Sequence, residues 1–236
     1  MTRVLAVGDL HGRLGMLETL ILEHQDVDFV LQVGDFGAYR DDGVCCGIPP
    51  GRRYRSEFPA YADGVLGFAR PVFFVKGNHE HFGLLDDATA KAADRTGPVP
   101  IADNLYYVPN GRVVMIYGVT VAGLGGNYSA VCHRKPRGGL RRRHFSEAEI
   151  QAILRHPGKV DILLTHDVGE GMIPGFRSLS QELLDLGRRL RPTWWIHGHF
   201  HCHHEADLGF TRVVGLDAVH GQEISSKIID IEPSGR

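Results

Sequence analysis

The sequence predicts a mixed α/β sandwich, and three observations carry that expectation. Short runs rich in Val, Ile, Leu and Phe recur along its 236 residues, each of strand length. Segments with helically spaced apolar residues separate several of them in the first half. Two stretches, around 105–123 and 203–231, then bring strand runs close together. With no internal repeat and no linker, residues 1–236 are expected to form one domain around a substantial core.

Taken in order, a strand at 3–7 precedes a helix at 13–24, where Leu14, Leu17, Leu20 and Ile21 share one face. A strand at 27–33, a helix at 56–69 and strands at 71–76, 105–108, 112–117 and 119–123 follow. A helix at 146–155 opens on Ser146 and Glu149, the spacing of a capping box. A strand at 160–165, a helix at 178–190 and strands at 193–197, 210–215 and 224–231 complete the chain. Residues 38–55 and 126–145 are loops longer than a connector needs, and both carry arginines.

A net charge of -2 with 23% charged residues argues against a uniformly basic nucleic-acid coat but leaves room for a local basic surface. No apolar run approaches the roughly 20 residues of a membrane span, and "MTRVLAVGDLHG" enters a strand pattern directly. The expectation is a cytoplasmic protein with no membrane partner and no obligate protein partner. Cys45, Cys46, Cys132 and Cys202 include no CxxC pair and are expected as free thiols. The 14 histidines bunch in "NHEH", "LLTHD" and "IHGHFHCHH", which suggests metal.

Polar residues follow five of the apolar runs. These are Asp9 and His11 after "VLAV", Asp35 after "FVLQV", Asn78 and His79 after "VFFVK", His166 after "DILLT", and His199 and His201 after "WWIH". Carboxyl ends of strands in α/β sheets form the crevice where ligands sit, so residues distant in sequence can converge there. Carboxylate, imidazole and amide donors without thiolate suit Mn, Fe or Zn better than Ca or Mg. Asp9, His11, Asp35, Asn78, His166, His199 and His201 are too many for one ion; they fit two divalent ions roughly 3.5–4 Å apart with a shared carboxylate.

The ordered motifs GDLHG, GD, GNHE, a later His and GHFH, across residues 8–201, resemble the signature of the calcineurin-like metallophosphoesterase superfamily. The resemblance implies a four-layer α/β/β/α sandwich of two mixed sheets flanked by helices. It implies one metal held by Asp9, His11, Asp35 and His201, and a second by Asp35, Asn78, His166 and His199, with Asp35 bridging. A narrower likeness is to RNA lariat debranching enzymes, on "GDFGAYRDDGVCCGIPPGRRYR", "NLYYVPNGRVVMIYGVTVAGLGGNYS" and the basic loop before "ILLTHD". The chain departs from the eukaryotic ones at Asp9, where they commonly carry Cys. Serine/threonine phosphatases usually carry Asp-Arg-Gly where this chain has Ala38-Tyr39-Arg40, and they lack the GHxH ending, so the phosphodiesterase side is favoured.

The expected chemistry is hydrolysis of a nucleotide or nucleic-acid phosphate ester by a metal-bridging hydroxide. His79, tethered beside Asn78, would protonate the leaving oxygen, or else hydrogen-bond a ligand. Glu80, Asp41 or Asp42 would orient it, while His81 and His197 would be supporting residues. The run His133 to Arg143 holds six Lys or Arg and no acid, with Arg52, Arg53 and Arg55 as a second basic cluster. Arg141, Arg142 and Arg143 are candidates to clamp substrate phosphates, and Tyr39, Tyr54 and Tyr128 to stack bases. The alternatives are a phosphomonoesterase or phosphoprotein phosphatase, and a non-catalytic RNA-binding module that keeps metals for structure.

Overall fold

A computed structural model describes residues 1–40, 55–94, 96–134, 138–175, 180–222 and 224–232. Two six-stranded mixed sheets stack face to face. The first has the order β12-β1-β2-β3-β5-β4, built from β1 (Thr2–Val7), β2 (Phe29–Gln32), β3 (Val72–Phe74), β4 (Val99–Ala102), β5 (Leu105–Tyr107) and β12 (Ser226–Ile231). The second, β10-β11-β9-β8-β7-β6, uses β6 (Arg112–Ile116), β7 (Val119–Leu124), β8 (Ile162–Thr165), β9 (Trp194–His197), β10 (His204–Asp207) and β11 (Arg212–Gly215). Each sheet has four parallel strands at its centre and an antiparallel strand at each edge.

Helices α1 (Leu14–Glu23), α2 (Phe58–Ala62) and α3 (Phe82–Lys91) pack on the first sheet. Helices α4 (Glu147–Leu154) and α5 (Gln181–Leu190) pack on the second. Three apolar cores therefore separate four layers. Alternation along each strand produces them: Val4, Ala6, Phe29 and Leu31 face the second sheet, while Leu5, Val7 and Val30 face the helices. Ile162, Leu164 and Ile196 face the first sheet, whereas Leu163 and Trp195 face α4 and α5. Burial on both faces is why the central strands read as unbroken apolar runs.

The expected two-sheet sandwich stands, and its misses have physical causes. The helix expected across 56–69 spans only Phe58–Ala62, closing where Gly64 takes a φ of +71°. Helix α3 lay unseen because its mixed sequence FGLLDDATAK buries only Phe82 and Leu85. The short edge strands β4 and β10 follow no apolar run; β10 alternates half-buried with exposed residues, and β4 buries only Val99. The capping box at α4 is present, with Ser146 and Glu149 bonded reciprocally, an arrangement worth about 1 kcal/mol. Cys132 and Cys202 are free thiols; Cys45 and Cys46 lie outside the described residues. No helix among the described residues is long and apolar enough to cross a membrane.

Candidate metal centre

The candidate ligands converge where the carboxyl ends of the parallel strands of both sheets meet. The first sheet supplies Asp9 and His11 after β1, Asp35 after β2 and Asn78 after β3; the second supplies His166 after β8, and His199 and His201 after β9. Ligand-type atoms of Asp9, His11 and His201 lie within 4.8 Å of one another, as do those of Asp9, Asp35 and His166. Nε2 of His201 is 3.1 Å from Asp9 Oδ2 and 3.0 Å from His11 Nε2. Asp35 stands between the halves, with Oδ2 3.8 Å from His11 Nδ1 and Oδ1 3.6 Å from His166 Nε2.

Local backbone is bent to achieve this. His11, Asp35, His199 and His201 adopt φ of +49°, +50°, +70° and +47°, the left-handed region, which costs a non-glycine residue about 1–2 kcal/mol. Such conformations cluster where the surroundings over-determine them. Two glycines make the approach possible: a Cβ on Gly198 would overlap Asp9 Oδ1, and one on Gly77 would overlap the Asp35 main chain and carboxylate.

Hydrogen bonds settle which nitrogens face inward. The Val33 carbonyl can only accept, so His166 Nδ1 carries the proton at 3.0 Å, leaving Nε2 toward Asn78 Oδ1 at 2.9 Å. Burial pushes the His166 pKa down to about 3, against the raising effect of Asp9, so the ring is neutral with a lone pair available. Burial also lowers His11, whereas its hydrogen bond to Asp9 raises His201. His199 donates its main-chain N–H to Asp9, and its ring lies 4.8 Å from that of His166, centroid to centroid.

These residues fit cations. Asp9 and Asp35 are 0% and 2% exposed, and the ion-pair partners that reach them among the described residues are histidines, two of them held toward the neutral form. Buried carboxylates at this density need compensating positive charge. Two facing imidazole nitrogens 3.0 Å apart and a buried amide oxygen add neutral donors. Divalent cations answer both requirements.

His79 sits at this edge. Its main-chain N–H donates to Asp35 Oδ1 at 2.8 Å, and its ring lies 6.1 Å from that of His11. Glu80 does not orient it, contrary to the sequence expectation. The fully buried Glu80 carboxylate accepts the main-chain N–H groups of Phe36, Gly37 and Ala38 at 2.8, 3.1 and 2.7 Å, and that of Gly77 at 3.3 Å. It thus ties the loop after Asp35 to the loop before Asn78. Burial and the Asp35 charge push its pKa up to about 8, while those main-chain bonds pull it down. Asp41 and Asp42, the other candidates to orient His79, lie outside the described residues. His197 is buried and supports the site, bonding the Gly198 carbonyl and His204. His81 caps α3.

Arg141, Arg142 and Arg143 are not in the ligand cluster. They lie on a 3₁₀ turn, Gly139–Arg143, stitched to the strand ends beside it. Lys76 Nζ donates to the Arg142 carbonyl at 2.7 Å, Asn127 N–H donates to the Arg143 carbonyl at 3.0 Å, and Arg142 pairs with Asp86 at 3.3 Å. A cavity of about 610 Å³ opens there, and its wall is mixed in charge: Lys76, Arg134 and Arg142 line it together with Asp86, Glu147 and Glu149. Tyr39 is 3% exposed, which removes it as a base-stacking residue, while the half-buried Tyr128 lies against His133 and Phe145 with its hydroxyl donating to Glu182. Tyr54, Arg52, Arg53, Lys135 and Arg137 lie outside the described residues.

Sequence reasoning missed His220, whose ring lies 5.7 Å from His11 and 6.2 Å from His201. The signal was available: β11 is a parallel strand, and the segment after it carries Asp217 and His220.

Comparison with known proteins identifies the family. The family model described as calcineurin-like phosphoesterase matches residues 2–203. A lariat debranching enzyme from Entamoeba histolytica is 24% identical over 90% of this chain and 68% of its own length. One from Schizosaccharomyces pombe is 29% identical over 84% of this chain and 48% of its own. The chain thus spans about two thirds of one relative and half of the other. In fold, it is similar to TT1561 of Thermus thermophilus, with a TM-score of 0.61 at 18% identity over 92% of this chain and 90% of that one.

Proposed function

The chain belongs to the calcineurin-like phosphoesterase family, and we propose that it is a dinuclear metal-dependent phosphodiesterase acting on a nucleotide or nucleic-acid phosphate ester. The observation that carries this reading is the convergence of Asp9, His11, Asp35, Asn78, His166 and His201 from both sheets onto one site, buried except at His201. Asp9, His11 and His201 would hold one ion; Asn78, His166 and His199 would hold the other; Asp35 would touch both. The donor set suits Mn, Fe or Zn. Two such cations supply neutralisation of phosphate charge and acidify a water molecule.

The chain's own residues do the rest. The main-chain bond to Asp35 fixes His79 beside the ligands, from where its imidazole protonates the leaving oxygen. Glu80 keeps the Asp35 and Asn78 loops in register. The basic turn, tied to the end of β3 through Lys76, would offer Arg141 and Arg143 to further phosphates of an extended substrate, while Arg142 is paired with Asp86. The relatives named lariat debranching enzymes favour a nucleic-acid phosphodiester over a phosphoprotein.

The test is a turnover screen of Mn, Fe and Zn forms against bis-p-nitrophenyl phosphate, p-nitrophenyl phosphate, and 2',5' and 3',5' dinucleotides. Diester hydrolysis is expected to exceed monoester hydrolysis. His79→Ala is expected to lower kcat by about 10²–10⁴-fold with metal content unchanged. Preference for the monoester would favour a phosphomonoesterase, and a metal-loaded chain that binds RNA yet hydrolyses no ester would favour a binding module.

A further inference from the structure

One histidine at the mouth of the centre has no part in the scheme above. His220 lies on a tight turn, 217–221, at the carboxyl end of β11, the fourth parallel strand of the second sheet. That turn is fixed to the centre. Val219 N–H donates to the Asp9 carbonyl at 3.0 Å, Asp217 N–H donates to the Ile224 carbonyl at 3.0 Å, and Gly221 N–H donates to the Ala218 carbonyl at 2.7 Å. The Asp217 carboxylate accepts Ala218 N–H at 2.6 Å, and a Cβ on Gly221 would overlap it. The turn therefore holds His220 at a defined position instead of leaving it to a wandering loop.

The ring that this turn presents touches the open half of the centre. It sits 5.7 Å from His11 and 6.2 Å from His201, yet its nitrogens do not join either ligand group. Arg13, at the start of α1, and Asp217 are the charged neighbours whose fields reach it, along with His11 and His201. A ring that can hydrogen-bond thus stands beside two of the candidate ligands without joining their group.

We infer that His220 is a substrate-contacting residue of this centre, hydrogen-bonding a non-bridging oxygen of the phosphate bound at the His11–His201 side. This rests on the phosphoesterase reading, and the experiment separates the two. Mn²⁺-loaded wild type, His220→Ala and His220→Gln are titrated calorimetrically with inorganic phosphate, with bound metal quantified on the same samples and folding checked by thermal melts. Metal content is expected to match in all three. Phosphate affinity is expected to fall about tenfold in His220→Ala, the loss of one hydrogen bond to a charged group, and to recover in part in His220→Gln. KM for bis-p-nitrophenyl phosphate is expected to rise more than kcat falls. Equal phosphate affinity in wild type and His220→Ala overturns the inference and leaves the family reading intact. Loss of a metal equivalent in His220→Ala also overturns it, by making the residue a ligand. Metal-loaded wild type that takes up no phosphate brings down both.

Discussion

The two halves of the centre meet water differently. His166 itself is closed off, with its side chain 0% exposed, one ring nitrogen bonded to Val33 and the other facing Asn78 and Asp35, while its neighbour His199 is half-buried. Around His201 the side chain is 42% exposed, and the rings of His79 and His220 stand against that of His11. One half is a consequence of packing two sheets together; the other is the side from which an ester can arrive. The difference separates residues whose loss damages the fold from those whose loss damages only chemistry.

Asp35 belongs to both halves, so Asp35→Asn is the strongest way to break the distinction. We expect both metal equivalents to weaken together and diester turnover to fall about 10³-fold or more, beyond the roughly 10–100-fold of an outer partner. Metal analysis beside a turnover assay reads this, and loss of one equivalent alone would show that Asp35 is not shared.

Glu80→Ala tests how far the closed half depends on the loops behind it. Leaving four main-chain N–H groups without their acceptor should cost about 1–3 kcal/mol in denaturant unfolding and weaken metal binding about 10–100-fold. A variant with normal metal affinity would place Glu80 in folding alone.

Comparing His166→Ala with His201→Ala sharpens the contrast directly. In metal-free protein the first should lose about 2–4 kcal/mol, since it empties a fully enclosed site. The second should lose less than about 1 kcal/mol, as surface substitutions do. Equal losses would remove the distinction.

The smallest effect belongs to the basic turn. Replacing Arg141, Arg142 and Arg143 by Ala should leave hydrolysis of bis-p-nitrophenyl phosphate within about twofold. It should raise KM for an oligonucleotide several-fold and flatten its salt dependence by about one unit of slope per lost phosphate contact. An unchanged salt slope would confine the turn to structure.

Much of the centre was legible in the sequence because its residues follow apolar runs, and runs buried on both faces are conspicuous. Asp9, Asp35, Asn78, His166 and His199 could be read this way. Glu80 could not, since its partners are main-chain N–H groups of Phe36, Gly37 and Ala38, which no side-chain pattern marks. His220 was legible in principle but stands five residues beyond β11, after a turn that displaces it from the strand end. Helix α3 and the edge strands β4 and β10 escaped because their apolar patterns are weak, whereas the edge strands β6 and β12 were read at 112–117 and 224–231.

In the proposed centre the two halves bind one ion each and work together on a phosphodiester. The decisive experiment titrates metal-free protein with Mn²⁺ while following both bound metal and hydrolysis of bis-p-nitrophenyl phosphate. Occupancy is expected to saturate at two ions per chain, with turnover appearing chiefly with the second. Saturation at one ion, or full occupancy without hydrolysis, would contradict it.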